Sequence, residues 1–315
     1  MIKDKIESFL IGCSLNDLTK ERENLTQIYR GSDFRGRIDS LGTDYQRLAY
    51  IATRLPATHG AVFQVLTELK RRCGDPAISS LLDIGAGPGT ALLAAVQASL
   101  PLTSATLLER DPGFIKIGKE LTKDFTEIEQ NWICQDLIDP WSLSSPDLII
   151  ASYSLNELQE KDRLLLVEKL WDLTKNFLVI IEPGTKAAFE SMKKIRQSLI
   201  FKGGHLIAPC PHSNQCPLTE KDWCHFSVRV ERSSFHRQMK GGTLNYEDEK
   251  FSYLIFSKTK FEPCRSRVLR HPFKGKGFVK FQFCSTLELE QKTITRKNKP
   301  EYLRAKKIEW GDSFN

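Results

Sequence analysis

Residues 81–90 read LLDIGAGPGT: an apolar run of strand length ends in Asp83, three glycines follow within five positions, and the helix-like stretch ALLAAVQAS comes next. Few folds accept that string. Glycines at a strand-to-helix turn permit positive φ and let a ligand approach the backbone, while N–H groups at a helix start attract polar or anionic groups. The segment therefore reads as a ligand cradle, with a plain tight turn as the simpler alternative. A P-loop is excluded because no Gly-Lys-Ser/Thr ending is present, and GAGPG departs from the GxGxxG spacing of dinucleotide sites. Asp83 beside the loop suits a cationic ligand, an ammonium or sulfonium, better than a pyrophosphate.

The surrounding pattern supports the same geometry. From Ser79 onward, short apolar runs (SSLLDI, ATLLE, NWICQD, PDLIIAS, FLVIIE) alternate with helical stretches, which predicts a parallel sheet with crossover helices. Glu109 closes the second run, where its carboxylate could accept two hydrogen bonds from a ribose diol, each worth about 1.5–3 kcal/mol. Asp136 follows the third run, at the place of a side chain near an adenine. Together Asp83, Gly85, Ala86, Gly87, Pro88, Gly89, Glu109 and Asp136 form a candidate S-adenosylmethionine site. The expected fold is α/β, class I S-adenosylmethionine-dependent methyltransferase (Rossmann-like), with an N-terminal helical region and a Cys-rich metal-binding insertion. The boundaries expected are a helical region over 1–75, the core over 76–201, the insertion over 202–230, completion of the core sheet over 231–285 and a basic segment over 286–315.

A catalyst is harder to find. Transfer to an exocyclic base nitrogen commonly uses a D/N-P-P-Y/F loop after the fourth strand, and that position here reads IIASYSLNEL. Tyr153, Asn156, Glu157 and, after the fifth strand, Glu182 are the only polar candidates. Capping of the helix expected near Glu160 explains the first three equally well. A nucleophilic role for Cys210 is rejected, since it lies too late in the chain. The sequence shows donor binding without showing catalysis.

Composition removes several other classes. Of 315 residues, 40% are hydrophobic and 27% charged, an ordinary balance for a packed globular chain, and no apolar stretch reaches the eighteen or so residues of a membrane span. MIKDKIESFL fits neither a secretory signal nor an acid-poor transit peptide, so a bacterial-type cytoplasm is expected, with a mitochondrial matrix the alternative for a eukaryotic chain. Eight cysteines in a reducing compartment should be thiols or metal ligands. Cys13, Cys73 and Cys134 fall in apolar patterns and read as small core residues. The net charge of +7 gathers late, in HPFKGKGFVK and KTITRKNKPEYLRAKK, which suits either a polyanion or a solvated basic tail.

Cys210, Cys216 and Cys224 cluster in APCPHSNQCPLTEKDWCHFS, with prolines and histidines between them. A segment so poor in core-forming residues argues for a metal, though spacing alone does not name it. Buried unreactive thiols are the alternative, and Cys284 and Cys264 are the downstream candidates for a fourth ligand.

The phrases RLPAT (54–58), LLDIGAGPGT, SLNEL (154–158), EPGT (182–185), HLIAPCPHSNQCPL (205–218), WCHFS (223–227) and RVLRHPFKGKGFVKFQFC (267–284) resemble the mitochondrial small-ribosomal-subunit methyltransferase-like family of assembly factors, which has bacterial relatives. The resemblance spans roughly 45–285. It implies a four-iron four-sulfur cluster on Cys210, Cys216, Cys224 and Cys284, the last matching the family's fourth ligand better than Cys264; zinc is the alternative metal. It also implies work on the small ribosomal subunit, bound to its rRNA and proteins, by a protein expected to be monomeric when free. Arg265, Arg267, Arg270, Lys274, Lys276 and Lys280 then become candidates for phosphate contacts. An active rRNA base methyltransferase is the alternative function.

Overall fold

The computed structural model describes residues 2–30, 42–219 and 222–313; part of the expected N-terminal helical region, 31–41, lies outside the described residues. Four helices come first: α1 (Ile2–Leu10), α2 (Leu15–Arg30), α3 (Asp44–Thr53) and α4 (Leu55–Cys73). Thr43 and Gln46 form a capping box that starts α3, and Pro56 sits in the first turn of α4, where its missing N–H costs nothing. Ile6, Leu10, Leu18, Leu25 and Ile51 are buried together in a core of their own, which also takes Phe114 and Met239.

The alternating segment follows as β1 (Ser80–Ile84), α5 (Thr90–Gln97), β2 (Ser104–Glu109), α6 (Pro112–Thr122), β3 (Glu129–Cys134), β4 (Leu148–Ser152), α7 (Glu160–Leu173), β5 (Phe177–Pro183) and α8 (Lys186–Phe201). β1, β4 and β5 are apolar almost throughout, as strands covered on both faces must be. After α8 come β6 (His205–Ala208), β7 (Phe226–Glu231), α9 (Ser234–Lys240) and β8 (Tyr246–Ser257). The sheet runs β3-β2-β1-β4-β5-β8-β6, with β7 also on β8. β1 to β5 are parallel, and β8 enters antiparallel between β5 and β6. This order, with one reversed strand next to the edge, is that of the class I methyltransferase fold.

Two boundaries are corrected. Residues 202–230 are not an insertion outside the sheet: Phe226 faces Phe251 while Ala208 faces Ile255, so β6 and β7 lie end to end along the edge of β8 away from β5. They form one edge strand broken by residues 209–225. Nor does the sequence up to 285 complete the core sheet. β9 (Ser266–Val268), β10 (Phe273–Gly275), β11 (Phe278–Ser285) and β12 (Leu289–Thr295) make a separate four-stranded antiparallel sheet, closed by α10 (Lys299–Ala305). Val279, Phe281, Phe283 and Ile294 alternate inward against Tyr302 and Ala305. The late basic segment is thus folded structure, because its alternation gives a small sheet a core.

Candidate functional site

The glycine loop turns at the C-terminal end of β1, beside the crevice where the chain switches from β1–β2 to β4 and where open α/β sheets bind ligands. Gly85, Gly87 and Gly89 all have positive φ (68°, 53° and 80°). A Cβ on Gly85 would lie 2.6 Å from the Cβ of Ser154, whereas one on Gly87 would meet nothing within 4 Å. The first glycine therefore lets β4's loop approach, and the second faces open space. One expectation fails here: the amides of Gly85 and Ala86 donate to Leu108 O, those of Gly89 and Thr90 to Ala86 O, and that of Gly87 to Glu109 Oε2 (2.7 Å). The loop offers close approach and not a row of free N–H groups.

Asp83 is fully buried, and neither carboxylate oxygen has a hydrogen-bonded partner. Burial lifts its pKa to about 7, opposed by the nearby Ala91 amide. A buried carboxylate without a donor is costly unless a cation approaches it, so the position fits the ammonium or sulfonium of S-adenosylmethionine. Glu109 ends β2, accepts from Gly87 N and from Asp111 N (2.8 Å), and has its pKa raised by burial. Asp136, just past β3, is only partly buried and accepts from Arg110 Nη1 at 3.4 Å. Asp83, Glu109 and Asp136 thus stand at the ends of three adjacent strands.

The four polar candidates past β4 and β5 come together as well. Tyr153 takes a left-handed backbone (φ 57°), unusual for a tyrosine, and its hydroxyl donates to Glu249 Oε1 at 3.0 Å. Glu182 is buried, its Oε1 accepts from Leu155 N at 3.0 Å, and burial pushes its pKa up to about 8. Its Oε2 and the Oδ1 of Asn156 have no partner. Glu157, near Arg110 at 3.8 Å, is raised to about 7 by burial; it does not cap α7, whose N-cap is Gln159. Tyr153, Asn156 and Glu157 edge a cleft of about 900 Å³, within the upper range of small-molecule sites, which Glu182 does not line. The sequence reading missed its other walls: Tyr50, Arg54, Arg232 and Lys240 line it, as does Arg163, which pins the loop through Leu155 O (2.7 Å) and Leu158 O (2.6 Å). RLPAT contained Arg54, yet only folding brings it beside β8.

A second cavity is lined by Ser252, Tyr253 and Leu254 of β8 and by residues of α8. Cys210, Cys216, Cys224 and Cys284 all line it, with Arg196 and Arg267; Cys264 does not. Cys264 is buried beside it, its Sγ 3.6 Å from Arg267 Nη2. Burial raises the pKa of Cys210, Cys224 and Cys284, the last to about 12, and the neighbouring sulfurs push the same way. These three thiols therefore stay protonated unless a cation joins them. Among the described residues no three Cys, His, Asp or Glu side chains converge closely enough to hold a single metal ion. The other cysteines are less buried than expected: Cys13 and Cys73 are half-buried and Cys134 is exposed at the end of edge strand β3.

The family model for the mitochondrial small ribosomal subunit protein Rsm22 matches residues 44–315, a stretch that contains both sites. The chain belongs to the Rsm22 family. The Rsm22-cox11 tandem protein 2, mitochondrial, of Schizosaccharomyces pombe is 26% identical over 99% of this chain and 48% of its own length. Human ribosome assembly protein METTL17, mitochondrial, is 28% identical over 86% of this chain and 62% of its own. The chain thus spans about half to two thirds of these relatives. Among solved structures, magnesium protoporphyrin IX methyltransferase from Synechocystis PCC 6803 covers 79% of this chain and 100% of its own, at 14% identity and a TM-score of 0.43.

In this Rsm22 chain the six basic candidates divide. Lys274, Lys276, Lys280 and Arg265 are exposed, although Lys274 pairs with Glu309 at 2.5 Å. Arg267 is the correction: it is 1% exposed, pairs with Glu68 at 2.6 Å, and donates to Pro209 O (2.9 Å) and Gly311 O (2.7 Å). It ties α4 to the cysteine loop and the C-terminal segment, so it cannot also reach a phosphate. Arg270 is half-buried, bonded to Asp222 and to Trp223 O.

Proposed function

We propose that the chain is an S-adenosylmethionine-binding factor, held together by an iron–sulfur cluster, that docks on small-subunit rRNA during ribosome assembly. The observation that carries the reading is the span of the family match, which runs through the glycine loop and through all four cavity cysteines. The ribosomal part draws on relatives named as ribosome assembly proteins. Donor binding draws on the unpaired Asp83 and the open space at Gly87. For the metal, Cys210, Cys216, Cys224 and Cys284 supply four soft thiols, and Arg196 and Arg267 supply positive charge against the net negative charge of a thiolate-held cluster. A cluster is wider than one zinc ion, whose ~2.3 Å bonds would require sulfurs converging on a single point. Free thiols suit a bacterial-type cytoplasm and a mitochondrial matrix alike, and no described helix is long and apolar enough to cross a membrane.

Protein purified without oxygen should contain iron and labile sulfide; stoichiometric zinc without sulfide would overturn the cluster. Co-sedimentation with small-subunit particles should weaken as salt rises. No association at low salt would sink the ribosomal assignment.

A second reading, active methylation of an rRNA base, is favoured by the 900 Å³ cleft past β4 and by Glu157 and Glu182, whose carboxyls titrate near neutrality and could accept a proton. Mapping rRNA methylation in a deletion strain decides it. A map identical to wild type leaves only the binding role.

A further inference from the structure

The two faces of the small antiparallel sheet differ sharply. Residues paired across antiparallel strands share a face, and the register places Phe273 opposite Lys280, Gly275 opposite Phe278, Phe278 opposite Thr295, Lys280 opposite Thr293, and Gln282 opposite Gln291. The opposite face is the buried one, packed on α10. The first face carries no carboxylate among these residues, and its Thr293, Thr295, Gln291 and Lys280 are exposed. Two phenylalanines stand on it. Phe273 is 63% exposed, and its ring centroid lies 5.9 Å from that of Phe278, with the planes 35° apart. Phe278 rests on Gly275, where a Cβ would come within 2.4 Å of the ring, so the glycine gives the ring a flat seat. Lys280 Nζ lies 5.6 Å from that ring's centroid, and Lys276 is exposed in the turn between the strands.

A single exposed phenylalanine is ordinary on a protein surface. Two adjacent rings flanked by ammonium groups, on a sheet face without acidic residues, are not explained by packing, because the sheet's core lies on the other side. Aromatic faces beside cations are the chemistry that single-stranded nucleic acids recognise: bases stack on the rings while the backbone phosphates follow the positive charge. A duplex hides its base faces and offers such a surface little. We propose that this face is a stacking platform for two successive unpaired bases of single-stranded RNA, centred on Phe273 and Phe278 with Lys276 and Lys280 at the phosphates. The proposal rests on the rRNA-binding reading and specifies which state of the RNA it takes. Cys284 lies on the same face six residues along β11, roughly 20 Å from Phe278 at strand rise. The platform is therefore an extension of the strand that reaches into the cysteine cavity.

The test uses the full holo protein and a fluorescein-labelled unpaired oligoribonucleotide of about twelve nucleotides, compared with an abasic strand of equal length. F273A/F278A should bind the normal strand about tenfold or more weakly with an unchanged salt dependence, and F273L/F278L should lose as much, since leucine keeps apolar contact but cannot stack. K276A/K280A should instead flatten the salt dependence, and wild type should prefer the normal strand to the abasic one. F273A alone, whose ring is mostly in water, keeps the test valid if the double variants unfold early; it should lose several-fold. Phenylalanine variants that bind like wild type overturn the platform while leaving rRNA binding intact. The same result with lost association to small-subunit particles makes the face a protein contact and also overturns it. Wild type that binds no RNA at low salt overturns both the platform and the reading beneath it.

Discussion

The glycine-loop site and the cysteine cavity are built on opposite plans. The first takes its groups from one stretch, Asp83 to Asp136, at the ends of three neighbouring strands, so the fold itself sets their spacing. The second takes Cys210, Cys216 and Cys224 from a break in an edge strand and Cys284 from another sheet. A site of the first kind should survive local damage elsewhere. A site of the second kind should fail when any of its carriers moves, and what fills it should in turn hold those carriers together.

The largest expected effect tests that dependence. Cys216→Ser should abolish iron and sulfide loading and, in hydrogen exchange, strip protection from the loop 209–219 while leaving 80–110 as in wild type, because metal-binding free energy stabilises the loop it joins. Equal loss across both regions would erase the contrast. Next comes Arg267→Leu, which takes one of two cations from Glu68, still paired with Arg71, and leaves two carbonyls without their donor. A urea melt should show a loss of about 2–4 kcal/mol, since the two carbonyls lose their donor at about 1–3 kcal/mol each.

A smaller effect is expected at the other site. Gly87→Val places a side chain in open space at φ 53° and should lower S-adenosylmethionine affinity well over tenfold by calorimetry, with iron content unchanged. The smallest change in ligand affinity is expected from pH. Asp83 holds its proton to about pH 7 in the fold, whereas in the unfolded chain it releases it near pH 4. Between these values the unfolded chain binds fewer protons, so the stability of the free protein should fall as pH rises from about 4 to 7. Affinity for the cationic ligand should move the other way, rising up to about tenfold from pH 6 to 8. Asp83→Asn should flatten both trends; a D83N profile like that of wild type removes Asp83 from the site.

The same contrast governs what could be read in the sequence. The donor-type loop was legible because its groups lie in one strand–loop–helix string whose periodicities are local. The partnership of β8 with β5, β6 and β7 was not, since YLIFS does not announce its neighbours. Arg267 looked like its neighbours in RSRVLR, and only burial against Glu68 distinguishes it. Tyr50 and Arg54 reach the cleft from the α3–α4 junction and Lys240 from the end of α9, far from the donor stretch in the chain, so no spacing pointed to them. Grouping Cys284 with the earlier cysteines came from family resemblance, and its position on β11 supplies the physical reason it can reach the cavity.

The broken edge strand has a consequence for the order of events. Because β6 and β7 lie end to end on β8, both ends of 209–225 are held by the sheet's hydrogen bonds before anything fills the cavity. The entropy of closing that loop is then met by the sheet and not by the metal. Cys284 arrives on a strand with its own core. The chain is thus organised to fold first and be loaded afterwards, as a late step of maturation that can be withheld or reversed without unmaking the rest.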